Sequence, residues 1–299
     1  MSVGRVCEGT GRFPHCIKEG GTWGKHGFPH GSEAIGWDAH CAGSLISHRM
    51  RVAVLTGGSS GIGAATARLL TARGWLCVLL ARNRERLETV AAELGAEAEP
   101  CDVGDRAHVD EVAARIGERH SAVHLLVSNA GIPGGGGFLD LTPERIEEVT
   151  RTNYLGGVWT LRAFLPLLEA GAPSDVVNVA SIAGVFATRG SGPYSASKHA
   201  QLAFSRAVGI ELAPRGIRVH SVNPGPVRTE GFPQSRLAGT RLDRVVMRPE
   251  RVAQAVLRAV ERNRPESYVF GAYRVAGLLQ AAFPGTLARI AARRSSSRP

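Results

Sequence analysis

The sequence predicts an α/β fold in which one parallel β-sheet carries helices on both faces. Short apolar runs alternate with amphipathic or Ala/Leu-rich segments from Arg51 to about Phe270. A glycine-rich turn follows the first apolar run and opens the first helical segment. Because repeated strand–helix units of this length connect parallel neighbours, the pattern favours a doubly wound sheet in a single domain.

The first half of this region contains four predicted strands. Each is a short run bounded by turn or charged residues, and the third is the least apolar because it carries glutamates. The predicted strands are Arg51–Leu55, Trp75–Leu80, Glu97–Cys101 and Val123–Ser128. The helices between them are an Ala/Leu-rich segment that Gly74 ends, then Arg84–Leu94 and Val109–Glu118.

The second half opens with a helix start, because Thr142 provides a hydroxyl cap and Pro143 takes the first helical position. This helix is predicted to run through Val149, and a second helix from about Asn153 to Leu168. The later predicted elements are a strand at Val176, a helix from Tyr194 to Ala213 that Pro214 ends, strand Ile217–Val222, helix Arg251–Arg262 and strand Ser267–Phe270.

The N-terminal residues 1–49 differ from everything after them. They lack helical or strand periodicity and hold half of the ten histidines and three of the five cysteines. Cys7, Cys16 and Cys41 lack the paired spacing of a zinc site, so we expect a disordered extension and no metal. Met50 directly precedes the first strand, and we expect it to be the natural start.

The C-terminal residues 271–299 are predicted to be a basic amphipathic extension of a catalytic domain that spans residues 50–270. Their apolar positions and their arginines fall on different sides of helical segments. The apolar positions are Val275, Leu278, Leu279, Ala282, Phe283, Leu287, Ile290 and Ala291, and the arginines are Arg274, Arg289, Arg293 and Arg294. Such segments lie on anionic membrane surfaces or pack over a substrate mouth or a dimer partner.

Composition narrows the class of protein. The chain has 299 residues, an apolar share of 43% and a formal net charge of +10. The arginines are spread along the chain and no nucleic-acid-binding motif is present, so an anionic cofactor fits better than nucleic acid. The odd number of scattered cysteines argues against a disulfide framework. Without a long apolar run or an apolar signal core, we expect a cytoplasmic protein.

The glycine-rich turn Thr56-Gly-Gly-Ser-Ser-Gly-Ile-Gly63 has the context of a dinucleotide site. It follows a strand and opens a helix, whose N-terminal N–H groups would face a pyrophosphate. Gly57, Gly61 and Gly63 would let the backbone turn tightly and approach the phosphates. The cofactor contacts predicted in this turn are Thr56, Gly57, Ser59, Ser60, Gly61, Ile62 and Gly63.

The end of the second strand, Leu79-Leu-Ala-Arg-Asn83, indicates which cofactor is used. An acid at this place would accept hydrogen bonds from the ribose hydroxyls of NAD. Ala81 stands there instead, and the guanidinium of Arg82 suits bidentate contact with a phosphate. The sequence therefore predicts NADP(H); the alternative is that Arg82 is part of the solvated surface.

Tyr194 and Lys198 are the candidate proton-transfer pair. They lie four residues apart in Gly192-Pro-Tyr-Ser-Ala-Ser-Lys198, which places them on one face of a helix. The pKa of a free tyrosine is about 10, and a positive neighbour lowers it toward a range useful in catalysis. Taken alone, this spacing also fits an exposed helix face. Ser181, thirteen residues upstream at the end of the run Val176–Ala180, favours a site.

The glycine turn, Ser181, Tyr194 and Lys198, in this order, resemble the short-chain dehydrogenase/reductase family over about Arg51–Phe270. The resemblance implies a Rossmann-type fold and hydride transfer between nicotinamide and a carbonyl group. Tyr194 would give the carbonyl oxygen its proton and Ser181 would donate to the developing oxyanion. Lys198 would lower the pKa of Tyr194 and bind the nicotinamide ribose. Asn153 matches the catalytic asparagine of the family, which holds a water that leads protons toward the lysine.

Three further segments match family motifs. Cys101-Asp102-Val103 resembles the segment that carries the adenine-contacting acid, and Ser128-Asn129-Ala130-Gly131 matches the Asn-Asn-Ala-Gly motif except at its first place. The resemblance implies that Asn129 ties strands together. The segment Asn223-Pro224-Gly225-Pro226-Val227-Arg228-Thr229 matches the Pro-Gly…Thr motif, in which the Val227 backbone and the Thr229 hydroxyl would hold the carboxamide.

The favoured function is that of an NADPH-dependent carbonyl reductase or alcohol dehydrogenase acting on a small molecule, with the chain forming a homodimer or homotetramer. Residues 230–247 correspond to the variable substrate loop of the family and do not name a substrate. Similar C-terminal extensions occur in members of the family that act on lipid-like or steroid-like carbonyls, so the resemblance favours an apolar substrate. A 3-oxoacyl thioester reductase would need the same catalytic set. A non-catalytic NADP-binding regulator is the alternative from another class.

Overall fold

The computed structural model describes residues 50–229, 246–286 and 289. The predicted extension over residues 1–49, most of the expected substrate loop and the end of the tail lie outside the described residues. Seven strands form one sheet. They are β1 (Val52–Thr56), β2 (Leu76–Ala81), β3 (Glu97–Pro100), β4 (Leu125–Ser128), β5 (Ser174–Val179), β6 (Ile217–Asn223) and β7 (Glu266–Tyr268).

Eight α-helices accompany the strands in the described part of the chain. They are α1 (Gly61–Thr71), α2 (Arg84–Leu94), α3 (Arg106–Arg119), α4 (Pro143–Thr150), α5 (Gly156–Ala170), α6 (Gly192–Leu212), α7 (Pro249–Glu261) and α8 (Ala272–Ala282). None of these helices is long and apolar enough to cross a membrane.

The strands are all parallel and follow the order β3-β2-β1-β4-β5-β6-β7. The order reverses between β1 and β4. In open α/β sheets, ligands bind in the crevice outside the carboxyl ends of the strands at this reversal. The predicted doubly wound Rossmann-type fold is thus confirmed, and the topology places its binding crevice between the ends of β1 and β4.

Apolar side chains bury both faces of the sheet, which explains why the strands read as continuous apolar runs. On one face Val54 lies in a core cluster with Ile116 of α3 and Phe164 of α5. On the other face Leu55 lies in a second cluster with Leu70 of α1 and Val256 of α7. Neighbouring residues of β1 thus serve opposite cores, because successive side chains of a strand point to opposite faces.

The starts of the helices follow their capping residues. Thr142 caps α4 as predicted, because its Oγ1 accepts a hydrogen bond from Arg145 N at 3.3 Å. The helix predicted to begin at Val109 begins three residues earlier at Arg106. Its cap is Asp105, whose carboxylate accepts from the backbone N–H groups of Ala107 and His108. The helix therefore begins where Asp105 can cap it, and not at the first residue of the apolar periodic pattern.

Two further sequence predictions were wrong in detail. The helices predicted to end at Val149 and to begin near Asn153 form one continuous run, since a π-helical segment over Arg151–Leu155 joins α4 to α5. The last strand is Glu266–Tyr268, because its register is set by pairing with Ser221–Asn223 of β6. The expected strand end at Phe270 already belongs to the connection toward α8.

Candidate active site

The glycine turn brings the start of α1 against the end of β1. A Cβ on Gly63 would lie 2.1 Å from the carbonyl oxygen of Gly57, so only glycine permits this approach. Gly57 has φ +66°, a conformation that glycine adopts without strain. The turn is therefore narrow enough to present its backbone N–H groups to a ligand at the carboxyl end of β1.

Asn129, directly after β4, ties this turn to the neighbouring strand. Its Nδ2 donates to the carbonyl oxygens of Thr56 at 3.1 Å and Gly57 at 3.2 Å. In return the Thr56 Oγ1 accepts from the backbone N–H groups of Asn129 and Ala130, each at 3.0 Å. These bonds fix the crevice between β1 and β4, in agreement with the structural role that the resemblance implied for Asn129.

One cavity of about 1170 Å³ extends from the glycine turn to the region of Tyr194. It collects most of the predicted site residues. Those on its wall are Gly57, Ser59, Ser60, Gly61, Ile62, Arg82, Asp102, Val103, Asn129, Ala130, Gly131, Ser181, Tyr194, Lys198, Pro224, Gly225, Val227 and Thr229. Thr56, Gly63 and Asn153 are not on the wall and act from behind it through the contacts described here.

The wall near the glycine turn has the donors that a pyrophosphate needs. Ser60 precedes α1 and makes no capping hydrogen bond with its side chain. A Cβ on Gly61 would lie 2.9 Å from Thr229 Cγ2, so the segment after β6 closes against the turn. Open N–H groups of a helix start and a neighbouring hydroxyl suit a bound anion.

Arg82 and Asp102, which follow β2 and β3, line the cavity on the side of the glycine turn. The Arg82 side chain is 54% exposed, and its Nη1 lies 3.9 Å from Glu148 Oε1, which is a loose surface ion pair. Asp102 Oδ1 accepts from Gly104 N at 2.9 Å. Both side chains therefore face the same end of the cavity while retaining partners within the protein.

Ser181 and Tyr194 meet at the other end. Ser181 follows β5 and its Oγ accepts from Ala183 N at 3.1 Å. Burial raises the pKa of Tyr194, and a hydrogen bond with Ser181 lowers it by a smaller amount. The net pKa shift is upward, which is opposite to the lowering expected from a neighbouring lysine. The reason is that burial disfavours the phenolate more strongly than the described polar neighbours favour it.

Lys198 is buried behind Tyr194, with an exposed fraction of 4%. Its Nζ donates to Val179 O at 3.1 Å and to Gln201 Oε1 at 2.9 Å. Burial lowers the pKa of Lys198 to about 8. The ammonium is thus held by two neutral acceptors, and sequence reasoning missed one of them, Gln201. Its position three residues after Lys198 on the same helix was the signal available.

Asn153 lies in the π-helical segment and is buried. Its Oδ1 accepts from Ile132 N at 2.7 Å, and its Nδ2 donates to Ile132 O at 3.0 Å and to Ser197 Oγ at 3.2 Å. A Cβ on Gly131 would lie 3.2 Å from Asn153 Oδ1 and 3.8 Å from Lys198 Nζ. The amide therefore joins the chain after β4 to α6 and adjoins the lysine.

Residues outside the predicted set also line the cavity. Tyr273 of α8 lines it, together with the glycine-rich loop Gly134–Gly136 and Phe186. Sequence reasoning considered the apolar positions of the tail but not this tyrosine. Only the tertiary position of α8 brings it to the site, so no local pattern could have identified it.

Known proteins are similar to this chain in sequence. Residues 51–238 match the family model described as short chain dehydrogenase. The chain is 42% identical over 186 residues to a monensin polyketide synthase putative ketoacyl reductase from Streptomyces virginiae, covering 60% of this chain and 71% of the relative. It is 35% identical over 213 residues to an uncharacterized oxidoreductase from Staphylococcus haemolyticus, covering 70% and 90%.

Two solved structures share the fold. A short-chain dehydrogenase/reductase from Burkholderia phymatum in complex with NAD superposes with a TM-score of 0.71 at 25% identity, covering 80% of this chain and 95% of that one. An actinorhodin polyketide ketoreductase with NADPH superposes with a TM-score of 0.68 at 31% identity, covering 75% and 97%. Proteins similar to this chain thus bind either nicotinamide cofactor.

Proposed function

The chain belongs to the short-chain dehydrogenase/reductase family, and from this premise we propose that it is an NADP(H)-dependent oxidoreductase acting on a carbonyl or secondary alcohol. The observation that carries the proposal is the meeting of Ser181, Tyr194 and Lys198 at one end of the cavity whose other end is the glycine turn. Proton donors and an anion site in one cavity are the two parts that such a reaction needs.

The residues of the cavity fit a dinucleotide. The close approach of Gly63 to Gly57 and the open N–H groups at the start of α1 form a cradle for a pyrophosphate. A bound nicotinamide cofactor would supply the hydride for reduction of a ketone, or accept it in the reverse direction. Val227 and Thr229, in the segment after β6 that closes against the turn, would hold the carboxamide end.

The side chains of the chain handle the proton. In ketone reduction, the Tyr194 O–H donates its proton to the carbonyl oxygen and Ser181 donates a hydrogen bond to the same oxygen, where charge develops. The raised pKa of Tyr194 keeps the phenol protonated at neutral pH, ready to act as an acid. Lys198 would bind the nicotinamide ribose, and the hydrogen bonds of Asn153 hold the chain around the lysine in place.

A preference for NADP(H) is supported by the residues that line the cavity on the side of the glycine turn. Ala81 offers no carboxylate to a ribose hydroxyl, and Arg82 lies on the cavity wall. Its loose ion pair with Glu148 leaves the guanidinium able to turn toward a 2′-phosphate. The hydroxyls of Ser59 and Ser60 add donors to the same anion.

The substrate is a ketone with an apolar part. A 3-oxoacyl thioester is the second candidate, and it is favoured by relatives named as ketoacyl reductases. The outer face of α8 carries exposed Val275, Leu278 and Leu279, and Arg274 and Arg289 are also exposed. We propose that this face contacts an anionic lipid surface, because apolar area flanked by cations matches the interface of such a bilayer.

The test of the function is Tyr194→Phe. The variant should lose at least ~10²-fold in turnover because general-acid catalysis is removed, while the dissociation constant for NADPH should stay nearly unchanged. NADPH oxidation is measured with a panel of ketones and one 3-oxoacyl thioester, and cofactor affinity by fluorescence. Tyr268→Phe, outside the cavity, is the matched control.

Activity of Tyr194→Phe within tenfold of the wild type would end this assignment. If the wild type binds NADPH but reduces no member of the panel, the result favours the alternative function, a non-catalytic NADP-binding regulator. A turnover of the 3-oxoacyl thioester alone would select the second candidate substrate.

A further inference from the structure

One face of α8 is fastened to the segment that follows Ser181. A Cβ on Gly277 would lie 3.1 Å from Val185 Cβ, so the helix approaches this segment closely. The side-chain amide of Gln280 bonds Ala187 in both directions, with Nε2 donating to the carbonyl oxygen at 2.9 Å and Oε1 accepting from the N–H at 2.7 Å. Residues 273, 277 and 280 share this face by helical spacing.

Tyr273, on the same face, reaches the cavity beside the nicotinamide-end segment. A Cβ on Gly225 would lie 2.7 Å from Tyr273 Cε2 and 2.9 Å from its hydroxyl oxygen, so glycine is needed where the ring rests. Phe270 packs edge-on against the ring at a centroid distance of 5.5 Å. The ring is therefore positioned from two sides, and Tyr273 lines the same cavity as Ser181 and Tyr194.

The Tyr273 hydroxyl is a candidate hydrogen-bond donor to a ligand. It has no hydrogen-bond partner within residues 50–229 and 246–286, and burial raises the pKa of the phenol, so the group is a neutral donor at neutral pH. A substrate that covers the hydroxyl without accepting from it would leave a buried donor unsatisfied, which weakens binding of that substrate. The reacting carbonyl is already served by Ser181 and Tyr194.

We propose that Tyr273 is a specificity-determining residue that donates a hydrogen bond to a second acceptor oxygen of the substrate. The substrate class selected is a ketone that carries a further carbonyl, as in 3-oxo esters and thioesters, over a simple alkyl ketone. This inference rests on the proposed function and deepens it. The apolar part of such a substrate can extend past Phe186, which lines the same cavity.

Tyr273→Phe tests the hydroxyl alone, because the phenylalanine ring keeps the contacts with Gly225 and Phe270. We expect KM for ethyl 3-oxobutanoate to rise about five- to tenfold, in line with one lost neutral hydrogen bond. KM for 2-pentanone should change less than twofold, and kcat and NADPH affinity should stay close to wild type. Tyr268→Phe is the control, since its hydroxyl bonds Glu266 outside the cavity.

A second variant tests whether the hydrogen bonds between α8 and Ala187 position Tyr273. Gln280→Ala removes both bonds to Ala187, so the preference for the 3-oxo ester over 2-pentanone should fall in this variant as it does in Tyr273→Phe. An equal KM change for both substrates in Tyr273→Phe, or no change for either, overturns the proposal.

Binding separates this inference from the proposed function. Titration of ethyl 3-oxobutanoate into NADP⁺-saturated protein measures the dissociation constant of the ester, and so the contribution of the Tyr273 hydroxyl, without turnover. If the wild type reduces no ketone but binds the ester five- to tenfold more tightly than Tyr273→Phe, the proposed function fails and the role of Tyr273 in recognition stands. If the wild type reduces ketones and the two proteins bind the ester equally, the role of Tyr273 fails and the proposed function stands.

Discussion

At the scale of single residues, burial decides how the reactive side chains of this site titrate. It raises the pKa of Tyr194 and lowers that of Lys198 to about 8, because a low-dielectric site disfavours phenolate and ammonium alike. The described partners of the ammonium, Val179 O and Gln201 Oε1, are neutral. The cation is therefore retained at a cost that should be visible in the pH dependence of stability.

We predict that the stability of the ligand-free protein rises with pH through the window in which Lys198 titrates. Its pKa falls from 10.5 to about 8 on folding, so between these values the unfolded chain binds more protons and deprotonation favours the folded state. From pH 7 to 9.5 the wild type should gain on the order of 2 kcal/mol in free energy of unfolding relative to Lys198→Met. Urea denaturation followed by circular dichroism measures both proteins across this range. Parallel curves for the two proteins would show that Lys198 carries no burial penalty.

The choice of cofactor is also predicted to lie in single residues. Replacing Ala81 by Asp and Arg82 by Gln should move preference from NADPH toward NADH. The new carboxylate repels a 2′-phosphate and accepts from the free ribose hydroxyls, while loss of the guanidinium removes a charge-assisted contact of roughly 1.5–3 kcal/mol. The measurement is the ratio of kcat/KM for the two cofactors.

A matched control for this pair is Arg84→Gln. Arg84 stands two residues after Arg82, is 71% exposed and pairs with Glu88 within α2. It is not on the wall of the cavity, so its loss should leave the cofactor ratio unchanged. If the double variant behaves as this control does, the phosphate is recognised elsewhere.

At the scale of secondary-structure elements, local patterns predicted what local interactions determine. The apolar run of β1, the glycine turn and the cap of α4 were all foreseen, because each depends on residues adjacent in sequence. The π-helical segment at Arg151–Leu155 was not, since a change in hydrogen-bond register leaves no signature in composition. Asn153 was identified by its motif, yet its bonds to Ile132 and Ser197 required the fold.

The same distinction applies to α8. Its apolar spacing was visible in the sequence, but which face would meet the protein was not. The structure turns Gly277 and Gln280 inward and leaves Val275, Leu278 and Leu279 exposed at 57%, 62% and 48%. An amphipathic pattern alone assigns the apolar face to the core. In α8, the close approach of Gly277 and the hydrogen-bonded amide of Gln280 hold the opposite face against the protein. The apolar side chains on the other face therefore stay exposed.

At the scale of the whole molecule, large exposed apolar side chains concentrate on two segments next to cavity-lining residues. Phe138 and Leu139, exposed at 71% and 92%, follow the glycine-rich loop that lines the cavity. Five more lie on the segment after β7, whereas Met50 and Ile210 are isolated elsewhere; the five are Phe270, Val275, Leu278, Leu279 and Phe283. A formal net charge of +10 favours contact with anionic surfaces on electrostatic grounds. Apolar groups near the cavity suit a substrate that arrives from an apolar phase.

Deletion of the residues after Phe270 should therefore spare cofactor binding while changing what reaches the site. The glycine turn and Thr229 remain, so NADPH affinity should stay within about twofold, while sedimentation with anionic liposomes should fall and discrimination between 3-oxo esters and simple ketones should weaken with the loss of Tyr273. The matched variant Val275→Ser/Leu278→Ser/Leu279→Ser keeps Tyr273 and removes only the outer apolar face, so it should lose liposome binding but keep substrate discrimination. Liposomes of neutral lipid separate the apolar from the charged contribution. If the truncated protein matches the full chain in sedimentation, oligomeric state and substrate profile, the tail is dispensable and both the lipid contact and the role of Tyr273 are wrong.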